Sequence, residues 1–254
     1  MKIYVITHKP IALKLPDIYE TILVGSSGKM SEGLLRDDTG DNISKKNKHY
    51  CELTGLYWIW KNSQEHDVVG LCHYRRFLTH GNIIHSKQVI DKDDLLRDFV
   101  TNDVDILLPQ IKLSWKKAVY KKCYAPSADD MHYVRKVISQ KCPEYLHAYD
   151  KYVNGKKSYY CNVMVAKREV FNQYCEWLFD ILFQVEKVMP LDSYIHDAYR
   201  SRMFGFLSER LLNVWVIFHR ELKIKEYPMV KTDQNILVRM KEFAKQQVYK
   251  ILNI

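Results

Sequence analysis

The chain has 254 residues, 47% of them hydrophobic, and carries 39 Lys and Arg against 30 Asp and Glu, a net charge of +9. That length is ample for a large core, and no apolar run reaches the roughly 18 residues that a membrane-spanning helix needs. A basic balance asks for an acidic partner: a nucleic acid, an anionic membrane surface or a phosphorylated substrate. No helix-turn-helix, ribonucleoprotein or zinc-finger signature supports the first.

In chain order, Lys2–Thr7 reads as a strand, since its apolar run is too short for a signal peptide. Tyr19–Val24 reads as a second, short strand. The stretch Asp37 to Ser44 is dense in turn formers, and Asn42 or Ser44 is placed to cap the helix that follows. Leu53, Leu56, Tyr57 and Trp60 recur at helical spacing, so Tyr50–Lys61 is predicted as a helix. Val68–Cys72 is a short apolar run of the kind that forms a buried strand. Lys92–Phe99 follows as a helix opening at Asp91, and Asp105–Leu108 as a strand stopped by Pro109. Trp115–Ala125 reads as a mobile, basic loop with a helical turn. Ala128–Ser139 and Glu144–Tyr152 read as helices, Ser158–Ala166 as a strand, Lys167–Val188 as a long helix and Phe204–Leu212 as the start of another. Such alternation favours an α/β sheet. No repeat and no Pro, Gly and Ser-rich linker divides the chain, so residues 1–236 are expected to form one compact domain.

Residues 237–254 form a separate pattern. Val238, Met240, Phe243, Ala244, Val248, Ile251 and Leu252 recur near helical spacing among Arg239, Lys241, Lys245 and Lys250. A basic amphipathic helix of this kind lies on an anionic membrane or packs on the domain or on a partner subunit.

The densest chemistry is at the end of Val68–Cys72, where the apolar run stops in His73, Tyr74, Arg75 and Arg76. Ligands of open α/β sheets bind beyond the carboxyl ends of such strands. The guanidinium fork bonds two oxygens at once, which suits a phosphate or diphosphate. An ordinary solvated turn is the plain alternative. Upstream, Lys45, Lys46 and Lys48 flank a helix N-terminus, a natural place for an anion. The six cysteines show no zinc or redox spacing, and Cys51, Cys72 and Cys161 read as small core residues of a reducing compartment.

Ile3-Tyr-Val-Ile-Thr-His-Lys9, Thr39-Gly-Asp-Asn-Ile-Ser44, Lys46-Asn47, Tyr50-Cys-Glu-Leu-Thr54, Tyr57-Trp-Ile-Trp-Lys-Asn62 and Gly70-Leu-Cys-His-Tyr-Arg-Arg76 follow one another in order. Cys161-Asn-Val-Met164, Tyr174-Cys-Glu-Trp-Leu-Phe179 and Gly205-Phe-Leu-Ser-Glu-Arg-Leu211 come later. Over residues 2 to 230 this series resembles the bacterial capsular and exopolysaccharide galactofuranosyltransferases long catalogued as a domain of unknown function, DUF4422. The resemblance implies a single GT-A-like, Rossmann-like α/β domain. It implies transfer of galactofuranose, with inversion, from UDP-galactofuranose to a glycan or polyprenyl-diphosphate-linked acceptor. The setting would be assembly of capsule, O-antigen or exopolysaccharide by a cytoplasmic enzyme peripheral to the inner face of the cell membrane. Another UDP-sugar, such as UDP-galactopyranose, and a non-catalytic basic scaffold are the alternatives.

On that resemblance Thr7, His8 and Lys9 hold the base and ribose, and Asp41, Asn42 and Lys46 line the same cleft. His73, Tyr74, Arg75 and Arg76 hold the diphosphate, and Asn162 and Met164 lie in a strand facing the sugar. Inverting transfer needs a general base on the acceptor hydroxyl. Glu209, among apolar residues with Arg210 beside it as a further substrate contact, is one candidate, because burial raises a carboxyl pKa. A structural Glu209–Arg210 ion pair is the competing reading. Asp192 is the second candidate and competes with a helix cap; Asp197 has a weaker context. GT-A enzymes often hold a divalent metal on an Asp-x-Asp pair, but Asp103 and Asp105 lead into the apolar Ile106-Leu-Leu108 and so sit at the wrong end of a strand. Arg75 and Arg76 are therefore expected to neutralise the diphosphate without a metal or other cofactor.

Overall fold

The structure is a computed structural model and describes residues 1–9, 14–28, 33–80, 88–114, 126–191, 197–232 and 234–252. Its strands are β1 (Lys2–Thr7), β2 (Tyr19–Leu23), β3 (Leu35–Arg36), β4 (Val68–His73), β5 (Arg76–Leu78), β6 (Ile106–Pro109), β7 (Lys112–Leu113), β8 (Lys157–Ser158), β9 (Met164–Lys167), β10 (Ile224–Tyr227) and β11 (Met229–Lys231). Its helices are α1 (Asn47–Tyr50), α2 (Leu53–Asn62), α3 (Lys92–Leu95), α4 (Ala128–Lys141), α5 (Leu146–Val153), α6 (Arg168–Val188), α7 (Met203–Phe218) and α8 (Ile236–Ile251).

The main sheet runs β10-β6-β9-β4-β1-β2-β3. Every pairing along it is parallel except those of β9, which is antiparallel to both β4 and β6. Side chains alternate across a strand with period two, and the core divides accordingly. Tyr4, Ile6, Val69, Leu71, Ile106 and Leu108 face the cluster built with α2, α4, α6 and α7. Ile3, Val5, Val68, Cys72 and Leu107 face the opposite cluster with Phe77, Leu95 and Phe99. Gly70 lets β4 and β9 close up, because a Cβ there would meet the Met164 carbonyl oxygen at 2.5 Å and Val165 Cα at 2.7 Å.

Helix starts follow local chemistry. Asp91 accepts from Asp93 and Asp94 N–H in a capping box at α3, and Ser127 does the same with Asp130 at α4. Asp37 is fully buried and accepts from Gly25 N–H, Ser26 N–H, Ser26 Oγ and Ser44 Oγ, tying β2 to the turn that leads into α1.

Four elements differ from the expected ones. The helix read over Tyr50–Lys61 is broken: α1 ends at Tyr50, Cys51 turns the chain with φ 51° and ψ −125°, and α2 begins at Leu53. The strand read over Ser158–Ala166 is likewise interrupted, with Cys161 and Asn162 at φ 79° and 43° between β8 and β9. Pro109 is the last residue of β6 rather than its stop, and α3 passes at Leu96 into a π-helical turn reaching Thr101. The loop expected over 115–125 lies outside the described residues.

Candidate active site

The carboxyl ends of β1 and β4 open onto a cavity of about 440 Å³, within the roughly 300–1,000 Å³ typical of small-molecule sites. Thr7 and His8 enter it at the carboxyl end of β1, and His73, Tyr74, Arg75 and Arg76 at that of β4. Asn47, Lys48, Cys51 and Glu52 enter from the α1–α2 break, and Ser201 and Arg202 from the turn before α7. A second cavity of about 230 Å³ shares Cys51, Glu52, His73, Arg76 and Arg202 with it and adds Cys161, Gly205 and Glu209. The two form one cleft with a deeper inner end.

The arginines are held by a tight ribbon. His73 and Arg76 pair across β4 and β5, leaving Tyr74 and Arg75 as a two-residue turn. Tyr74 N–H donates to the Ile6 carbonyl at 3.1 Å and the Arg75 carbonyl accepts from Thr232 N–H at 3.0 Å, so both ends of the turn are tied down. The Arg75 guanidinium lies 4.7 Å over the Tyr74 ring, whose edge meets His8 at 5.4 Å. Three buried polar atoms in and beside the cleft have no hydrogen-bond partner among the described residues: His73 Nε2, Arg76 Nε and Asn162 Oδ1. Buried polar groups are nearly always paired, so this cluster is a place of unmet hydrogen-bonding capacity beside the cleft. Burial lowers the His73 pKa from the ordinary imidazole value, with Glu52 opposing, and the ring is hydrogen-bonded to the Cys161 backbone.

The break residues shape the inner end. Cys51, Cys161 and Asn162 hold positive φ without being glycine; such backbone costs on the order of 1–3 kcal/mol each and concentrates at functional sites. In return Asn162 Nδ2 reaches Glu52 Oε1 at 2.7 Å, Ser208 Oγ at 2.7 Å and the Gly205 carbonyl at 3.1 Å. Cys161 N–H donates to Glu209 Oε1 at 3.0 Å. Glu209 Oε2 accepts from Arg210 Nη1 at 2.6 Å, and the Glu209 side chain keeps 18% of its surface exposed. Burial raises the Glu209 carboxyl above its ordinary range, with Arg210 opposing and Glu52 adding to the rise. Burial also pushes the Cys51 and Cys161 thiols up to about 11, so neither is a thiolate at neutral pH.

Other sequence candidates stand elsewhere. Lys9 is exposed at the rim, its ammonium 5.9 Å from the Tyr74 ring centre. Asp41, Asn42 and Lys46 do not line the cleft. Asp41 accepts from Tyr57 Oη, Asn42 Oδ1 accepts from Ser44 N–H, and Lys46 pairs with Glu186 on α6 at 2.6 Å. Of the three lysines at this helix start, Lys48 is the one that reaches the cleft. Met164 is a core residue of β9, 2% exposed, because its position in the pleat points it at α6 rather than at the cleft. Arg210 is 1% exposed and serves Glu209 rather than a ligand. Asp192 lies outside the described residues, and Asp197 accepts from Tyr199 and Arg200 N–H as a turn cap. Cys51 and Cys161, read as core residues, line the cleft instead.

Asp103 and Asp105 stand at the amino end of β6, opposite the cleft. Asp103 bonds Lys167 at 2.5 Å and Lys223 at 2.7 Å, and Asp105 bonds Lys167 at 2.8 Å. Those lysines hold the Asp103 carboxyl down at about 2. His80, Asp91 and Asp94 also come close together, but Asp91 and Asp94 are already engaged in capping α3 and Asp94 holds Arg97 at 2.5 Å. The residues that sequence reasoning missed are Glu52 and Arg202. The basic run Arg200-Ser-Arg202 was a usable signal; Glu52, at the start of a helix, offered none.

Residues 2–221 match a family described as a domain of unknown function, DUF4422. The chain belongs to that family. It is also similar to a solved structure, the apo form of a bifunctional glycosyltransferase called WbbM, with a TM-score of 0.80 and 30% identity over 92% of this chain and 45% of that one. The chain thus spans less than half of the WbbM chain. No curated protein matches it. The shared architecture is the GT-A-like, Rossmann-type α/β fold that the motifs implied.

Proposed function

We propose that this DUF4422 protein is a glycosyltransferase that binds a nucleoside-diphosphate sugar in the cleft beyond β1 and β4. One observation carries the reading: Lys48, Arg75, Arg76 and Arg202 converge with Glu52 and Glu209 on a single cleft at the carboxyl ends of parallel strands. The cations neutralise the charge that grows on the diphosphate as the glycosyl bond breaks. Glu209, at the inner end, takes the proton from the attacking acceptor hydroxyl, and its raised pKa suits a base that must also release that proton. Two carboxylates against four cations, with Asp103 and Asp105 committed to lysines, favour charge neutralisation by side chains over a bound metal.

The donor we infer is UDP-galactofuranose, a choice that rests on the motif resemblance. The acceptor is a glycan, carried on a lipid in surface polysaccharide assembly. The helix α8 supports work at a cytoplasmic membrane face, since it exposes Leu237, Val238, Met240, Val248 and Ile251 beside Lys241, Lys245 and Lys250. Among the described residues no helix is long and apolar enough to cross a membrane.

UDP release by the purified protein, measured over a panel of UDP-sugars with and without EDTA, tests the reading. Release from UDP-galactofuranose alone, undiminished by EDTA, is the expected outcome. Release only from UDP-galactopyranose would replace the sugar. Strict Mn²⁺ dependence would overturn the metal-free mechanism. Silence from every donor, with an acceptor glycan present, would leave a basic scaffold.

A further inference from the structure

A separate cavity of about 250 Å³ lies beyond the carboxyl end of β6, between β7, β11 and α8. Its charged lining is Lys112 on β7, Lys231 on β11, Lys245 on α8 and a single carboxylate, Glu242. The α8 wall is fixed by Gln246, which accepts from Leu113 N–H at 2.7 Å and donates to the Leu113 carbonyl at 3.1 Å. Cys161 lines this cavity and the inner end of the cleft alike, and its N–H holds Glu209.

The lysines are arranged at a cost that an anion would relieve. Lys231 lies directly opposite Arg76 in the β11–β5 pairing, and like charges in that position repel. Lys112 is half-buried, and burial together with the nearby Lys231 and Lys250 disfavours its charged form, with Glu242 and Cys161 opposing them. A cluster of three positive charges and one negative around a cavity, with Lys112 half-buried in it, is matched by a ligand bearing more than one negative charge. Cys161 thus joins this cavity to the proposed base.

We propose that this cavity binds a phosphate or diphosphate group of the acceptor, so that α8 is a wall of the acceptor site. The word acceptor rests on the transferase reading above; the anion site does not. Its position orders the substrates along one line. The donor diphosphate lies at Arg75 and Arg76, the reacting hydroxyl at Glu209 and the acceptor's anionic group at the lysines.

Calorimetric titration of the full chain with inorganic pyrophosphate, in the presence of excess UDP, tests this. One site is expected. Lys112→Ala and Lys245→Ala should each weaken it by about tenfold, and Lys112→Arg by no more than about threefold, with UDP affinity unchanged in all three. Lys245 is exposed on α8, so its variant reads the site even where Lys112→Ala unfolds the protein. No pyrophosphate binding beside UDP, or binding indifferent to both alanine variants, overturns the proposal. Vesicles of phosphatidylglycerol form the second arm. If binding to them falls tenfold in Lys112→Ala, the site serves a membrane headgroup and the acceptor assignment is overturned; unchanged vesicle binding supports it. Lysine-dependent pyrophosphate binding without any UDP binding would leave the anion site standing and remove the donor reading.

Discussion

Glu209 shows how much one residue's role depends on what surrounds it. One of its oxygens is held by Cys161 N–H and the other by Arg210, while burial and Glu52 push its proton affinity up. A general base works only when deprotonated, so activity should rise with pH as this carboxyl ionises. The acid limb of kcat/KM is therefore expected above 4.5, the ordinary value for Glu. Glu209→Gln should lower kcat by roughly 10²–10⁴-fold with little change in donor KM, because the amide keeps the shape and loses the basicity. A variant within threefold of wild type, with the acid limb unmoved, would transfer the role to another carboxylate. Glu209 was readable in advance because a charged residue in an apolar helical run is conspicuous. Its neighbour Glu52 was not, since a Glu before Leu53 looks like any helix start, and only the contact with Asn162, 110 residues away, brings it into the site.

At the scale of elements, the strands were legible and their interruptions were not. Short continuous apolar runs mark β1, β4 and β6, because burial on both faces leaves a local pattern. The break at Cys51 carries no Gly or Pro, and Tyr50, Leu53 and Tyr57 keep helical spacing across it. At the turn Asn47 Nδ2 donates to the Cys51 carbonyl at 2.7 Å and to Thr54 Oγ1 at 3.0 Å, and the tertiary part is the seat of Asn47 over Gly25. The β4–β9 contact gives the sharpest stability prediction. Gly70→Ala places a methyl against the backbone of Met164 and Val165, atoms that cannot step aside. A loss of about 2–3 kcal/mol is expected from thermal or urea unfolding. A loss under ~0.5 kcal/mol would mean that β9 can shift away from β4.

For the whole molecule, the surplus of positive charge and the apolar stripe of α8 act together. Leu237 is 62% exposed and Ile251 78% exposed, which is costly in water and favourable at a bilayer surface. Replacing Leu237, Val238 and Ile251 together by Ser should abolish sedimentation with anionic vesicles while leaving UDP release intact. Raising salt should weaken binding of the unaltered protein, since the basic residues supply the long-range attraction. Vesicle binding that survives the triple substitution would assign the stripe to a protein contact.

The amino-acid sequence by itself determined the alternation of strands and helices, the helix start at Asp91, and a pair of arginines at the end of a buried strand. Each of these is written in neighbouring residues, through a period of two or 3.6 or through a side chain that bonds the next turn. Only the tertiary structure decided which loops share the cleft. Lys48, Glu52 and Arg202 enter it, whereas Asp41, Asn42 and Lys46 turn to other partners. Loop proximity follows from the strand order and from the turns at Cys51 and Cys161. A pair such as Cys51 and Arg202, 151 residues apart and 3.5 Å from atom to atom, is a product of packing that no local pattern records.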